Sequence, residues 1–150
     1  MRRRLAALGM TAGLILSLIL GLAACGDQDQ QMLSEGARSA REAVSGVRTA
    51  QLAAQSLLDG RIWAQPATVM VTDAEDALGQ VATTFDARQP ETDESRQTYD
   101  LYSEALANAA DGVTELRIAV RSGDLETVRQ QVRQLDKTAE QLEQLGERAQ

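Results

Sequence analysis

The groups able to do chemistry in this chain are 22 carboxylates, one lysine at Lys137, one cysteine at Cys25 and a scatter of hydroxyls; there is no histidine. Within one copy of the chain this excludes an intramolecular disulfide, a His-Cys zinc cluster and a His-based catalytic dyad. Ferritin-like di-metal sites need Glu-x-x-His pairs and haem usually takes a His, so neither cofactor is expected. Two acidic clusters, Asp73-Glu75-Asp76 and Glu91-Asp93-Glu94, offer oxygen ligands for calcium or magnesium, yet neither has EF-hand spacing. Carboxylates in the first turn of a helix complement its dipole, and that role accounts for both clusters. A Ser-Lys nucleophile has only Lys137 to draw on, set among Arg133, Asp136 and Glu140 on a charged helix face. Paired carboxylates of the glycosidase type normally work in a cleft with aromatic platforms, and the chain has four aromatic residues. The inventory favours a non-catalytic protein without metal or cofactor.

Arg2, Arg3 and Arg4 precede an apolar run from Leu5 to Leu22, interrupted only by Gly9, Thr11, Gly13, Ser17 and Gly21. A charged start followed by an apolar stretch is the pattern of a secretory signal. All 22 acidic residues lie beyond residue 24, with 12 basic ones, so the chain after this leader carries −10. Such a surface repels phosphate backbones, and nucleic acid is not an expected partner.

The run closes on Leu22-Ala23-Ala24-Cys25-Gly26, which resembles the lipobox of bacterial lipoproteins. The resemblance covers about the first 25 residues. It implies that Leu22, Ala23 and Ala24 are the signal-peptidase recognition residues, that cleavage falls before Cys25, and that the Cys25 thiol accepts the lipid. Two or three palmitate-type chains, at ~0.8 kcal/mol per buried methylene, anchor a protein durably where one does not. The resulting division is a signal peptide over 1–24, a lipidated Cys with a short polar linker over 25–31, and a helical domain over 32–150. The linker spans at most ~20 Å. Residues 5–24 are also about the ~20 needed to cross a bilayer as an uncleaved signal anchor, and Gly9 and Gly13 match GxxxG. Both readings place the remainder outside the cytoplasm.

The segments Val47–Ala53 and Leu58-Asp59-Gly60-Arg61 resemble small helical lipoproteins of high-GC Gram-positive bacteria. That likeness implies the extracytoplasmic face of a single cell membrane. In a two-membrane host, Gly26 after the cysteine favours the outer membrane.

Behind the leader, apolar residues recur at alternating steps of three and four. A first helix over about Gln31–Leu58 carries Leu33, Ala37, Ala40, Val44, Val47, Ala54 and Leu58, with Gln51 as the polar intruder and Gly60 as the stop. A second carries Val71, Ala74, Leu78, Val81 and Phe85; Thr72–Glu75 matches a capping box, while Pro66 suits an earlier start. A third, capped at Thr92, carries Tyr99, Tyr102, Leu106, Ala109, Val113, Leu116 and Val120. A tight Ser122-Gly123-Asp124 turn leads to a fourth with Leu125, Val128, Val132, Leu135, Ala139 and Leu142. Short connections make this an all-α, up-and-down four-helix bundle after an N-terminal signal peptide. An alanine-rich stripe also suits pairing between molecules, so the pattern leaves oligomeric state open.

Arg61, Ile62 and Trp63 form the most distinctive loop, either a partner contact or, through Ile62 and Trp63, a lid on the bundle core. Gly36, Gly46, Gly79 and Gly112 inside helices signal a cavity or close helix approach. The functional expectation is a membrane-tethered envelope module for structure or protein interaction. A ligand-binding or sensory bundle is the alternative, and a signal-anchored single-span protein the third reading.

Overall fold

The computed structural model describes residues 8–149, with side chains from Asp27 onward. Four helices follow in order: α1 Leu8–Leu58, α2 Ala64–Asp86, α3 Asp93–Ser122 and α4 Leu125–Glu147. Consecutive helices pack on each other and α1 closes the bundle against α4, giving the expected all-α four-helix arrangement. The cross-section is a rhombus. α1 packs on all three other helices, whereas α2 and α4 do not meet.

Side-chain size on α1 explains the rhombus. Its buried face is Ala37, Ala40, Ala43, Ala50, Ala53 and Ala54 with Val47, so the backbone of α1 can approach the diagonal helix α3. The closest approach is at Gly36, where an added Cβ would lie 2.6 Å from the Tyr102 ring of α3. Gly46 against Leu78 and Gly112 against Leu135 do the same for α1–α2 and α3–α4, each with a virtual Cβ at 2.9 Å. These three glycines therefore mark close packing. Gly79, by contrast, faces open space.

The stripes on α2, α3 and α4 bury most of the side chains expected of them, from Val71 and Phe85 through Tyr102 and Val120 to Leu142. Leu125 departs from its stripe and is 41% exposed, because it opens α4 before the neighbouring helices provide cover. Gln51 is buried and satisfied. Its amide donates to the Val132 carbonyl of α4 at 3.1 Å, and its carbonyl accepts from Arg48 at 3.3 Å.

Turn chemistry decides the ends. Gly60 and Gly123 take positive φ, and the paired bonds Arg61 N–H to Ser56 O with Gly60 N–H to Leu57 O make a Schellman close. Asp124 N–H to Ala119 O with Gly123 N–H to Val120 O repeats it, after which Asp124 caps α4 by accepting from Thr127 N–H. Thr92 caps α3 in a reciprocal box with Ser95.

Two boundaries differ from the sequence expectation. α2 begins at Ala64, with Pro66 in its first turn where a missing N–H costs nothing; Thr72 is mid-helix, its hydroxyl donating back to Thr68 O, and no capping box forms with Glu75. The polar stretch before Gln31, expected as a linker, instead continues α1. Nothing in Asp27–Gln31 breaks a helix, Gln31 bonds Glu35 one turn on, and Gln28 and Asp29 find partners on the α2–α3 connection. Among the described residues, no helix is long and apolar enough to cross a membrane.

Candidate functional site

The two ends of the bundle are built differently. The Asp27 end gathers the early part of α1, the α2–α3 connection and the end of α4. Its core is aromatic: Phe85 stacks on Tyr99 with ring centroids 5.6 Å apart and lies 6.0 Å from Tyr102 at a tilt of 59°. Both tyrosine hydroxyls donate to backbone, Tyr102 to Leu145 O at 2.8 Å and Tyr99 to Asp86 O at 3.1 Å. Burial pushes the Tyr102 phenol above its ordinary range, despite Arg148 and Arg41 nearby. Around this core, Gln28 donates to Glu91 at 2.7 Å, Thr92 donates to Asp29, and Arg88 pairs with Glu35 at 3.1 Å. The Gln28–Glu35 stretch of α1 is thus stitched to the α2–α3 connection.

The opposite end carries the Arg61-Ile62-Trp63 loop, and the structure splits it. Ile62 packs against the core, while the Trp63 side chain is 82% exposed. Trp63 serves α2 only through its extended backbone at the N-cap, with no side-chain bond. Arg61 is held to Asp59 at 2.5 Å on the surface. The expected lid therefore consists of Ile62 alone.

Trp63 has company that the stripes gave no reason to single out. Leu52, Val69, Met70, Ile118 and Leu125 are all exposed, and all lie within about two turns of this end. Among the described residues, Leu101 is the one large exposed hydrophobic toward the other end. Their signal in the sequence was that Leu52, Val69, Met70 and Ile118 are large apolar residues off every core stripe. Charge divides the same way. Residues 27–41, 82–103 and 140–149 hold eleven acidic and five basic side chains, whereas 55–70 and 117–130 hold three acidic and four basic.

The two acidic clusters fare differently: Asp73, Glu75 and Asp76 stand in the middle of α2 and not in a first turn as expected, because the helix begins at Ala64, whereas Asp93 and Glu94 do open α3. Glu75 leaves its neighbours to pair with Arg117 of α3 and accept from Thr114 at 2.7 Å; these bonds outweigh the upward push of burial and set its carboxyl below the usual range. Glu91 accepts from Gln28, and Asp93 and Glu94 stand in the first turn of α3. Among the described residues no three His, Cys, Asp or Glu side chains gather as metal ligands. Lys137 is exposed on α4. A further ionic tie joins α1 to α4, where Arg48 meets Asp136 at 2.5 Å and Glu143 at 3.1 Å; these bonds raise its already high pKa.

An open groove of roughly 610 Å³ lies between α1 and α2, floored by Gly46, Ala74 and Leu78. Every buried side-chain nitrogen and oxygen among the described residues has a hydrogen-bond partner. Leu22, Ala23, Ala24 and Cys25 lie outside the residues whose side chains are described. The chain matches no protein-family model, no curated protein and no solved structure.

Proposed function

We propose that this protein is a non-catalytic envelope lipoprotein, tethered to the extracytoplasmic face of the membrane through acylated Cys25, whose helical bundle presents its Trp63 end to a protein partner. Anchoring rests on the lipobox-like Leu22-Ala23-Ala24-Cys25 behind a charged, apolar leader. Presentation rests on one observation above all: the sole tryptophan is 82% exposed at the end of the bundle opposite Asp27. Tryptophan is a favoured interface anchor, and a monomer gains nothing by leaving one in water. With about 1.5 Å of rise per residue, α1 sets Trp63 some 45 Å from Asp27. The stitching of Gln28 and Asp29 to the α2–α3 connection holds the acidic end next to the tether and the apolar end away from it.

A photo-crosslinking side chain at position 63 of the tethered protein, compared with one at Gln130, tests presentation. A discrete adduct from position 63 alone, weakened when Cys25→Ala releases the protein from the membrane, is expected. Equal adducts from both positions contradict the reading.

A further inference from the structure

We infer that the groove between α1 and α2 is a docking site for a basic-flanked amphipathic helix of a partner protein. The inference deepens the interaction role proposed above and rests on it for context, though not on acylation of Cys25.

The floor of the groove is Gly46, Ala74 and Leu78, with the Leu78 side chain seated against Gly46, and small Ser45 and Ala77 stand exposed on its two walls. Small residues on two antiparallel helices leave a trough into which the ridge of a third helix can settle, as small-residue interfaces generally permit close helix approach. The trough runs from Ser39 to Thr49 on α1 and from Thr84 to Asp73 on α2, and its apolar lining does not stop there. Leu52 lies one heptad beyond Ser45, and Met70 one heptad before Ala77, so each continues the same face of its helix. The Gly46–Leu78 contact fixes the antiparallel register. It places Leu52 about 9 Å and Met70 about 12 Å further toward the Trp63 end. At 56% and 39% exposure, these two residues form an apolar mouth where the trough meets the Trp63 end. The whole track is about 20 Å long, enough for a helix of about fourteen residues.

Charge selects the occupant. The charged residues lining the groove are Glu42 and Asp73, one on each wall; Glu42 shares its charge with Arg38 one turn back on α1 at 2.9 Å in an exposed, weak pair, and Asp73 supplies the other carboxylate. The bundle around it has 22 acidic against 12 basic residues after the leader. A second copy of this chain would bring the same carboxylates face to face, whereas a helix with lysine or arginine beside its apolar stripe would meet them with opposite charge. A partner helix of that chemistry fits both the shape and the sign. An interface this short falls below the standard size for a permanent complex, so binding is reversible and salt-sensitive.

The test uses the full chain in detergent and two labelled fourteen-residue helical peptides. Both carry an Ala/Leu stripe, one flanked by lysines and its twin flanked by glutamates. Fluorescence anisotropy is expected to show at least tenfold tighter binding of the lysine peptide, weakened as salt rises. Ala77→Arg, at an exposed position that leaves the core intact, should lower that affinity at least tenfold, and Glu42→Lys with Asp73→Lys should reverse the preference between the peptides. Equal binding of both peptides, indifference to Ala77→Arg, or a dimer in sedimentation that Ala77→Arg dissociates would each overturn the assignment. The anisotropy result is independent of lipid on Cys25, so failure here and failure of the tethering reading are separately visible.

Discussion

The Asp27 end and the Trp63 end of the same bundle spend their aromatic residues in opposite ways. Phe85, Tyr99 and Tyr102 are packed together at the first, with both hydroxyls hydrogen-bonded and acidic side chains around them. Trp63 stands in solvent at the second, amid exposed Leu52, Val69, Met70, Ile118 and Leu125. In a chain with four aromatic residues, this allocation separates the end that secures the fold from the end that leaves its aromatic residue exposed, which the proposed function uses for partner contact. Stability and contact surface can then vary independently, since substitutions well apart without shared partners add.

Mutations at the two ends sharpen the contrast. Tyr102→Ala should cost about 3–5 kcal/mol in denaturant unfolding, because it empties the space between Gly36, Phe85 and α4 and removes the bond to Leu145. Gly36→Ala should cost about 1–3 kcal/mol, since its new methyl has only the buried Tyr102 ring to displace. Glu75→Gln should cost about 1 kcal/mol and change the pH dependence. The Glu75 carboxyl is held below its ordinary value of 4.5, so its contribution is present above that pH and is lost as pH falls through the lowered folded value. An acid titration of thermal stability should therefore fall less steeply in Glu75→Gln than in the parent. At the other end, Trp63→Ala should change stability by less than about 0.5 kcal/mol while weakening the position-63 contact. A loss of several kcal/mol at Trp63, or none at Tyr102, breaks the division between the ends.

Much of the fold was legible because heptad-spaced apolar residues constrain a helix strongly. The α3 stripe from Tyr102 to Val120 and the two positive-φ glycines read directly as core and stops. The start of α2 did not, because Thr72–Glu75 has the composition of a cap but Glu75 is needed by Arg117 across the α2–α3 interface. The extension of α1 through Asp27–Gln31 was equally hidden, since polar residues with no breaker are as good a helix as a linker until tertiary partners such as Glu91 and Thr92 are known. At the candidate site, Trp63 was conspicuous by its rarity. Ile118 and Met70 were not, because an apolar residue off the stripe gains meaning only when the fold shows that it lies near the same end as others. Helical closeness at Gly36 was visible as an anomaly, and its cause, the Tyr102 ring from a diagonal helix, was not.

Tethering is tested by the intact mass of the membrane-fraction product expressed in a bacterial host, measured beside Cys25→Ala. A mass corresponding to cleavage before Cys25 plus acyl chains, lost in the variant, is expected. An unmodified full-length mass in both would contradict it and make residues 5–24 an uncleaved anchor with Cys25 a bystander.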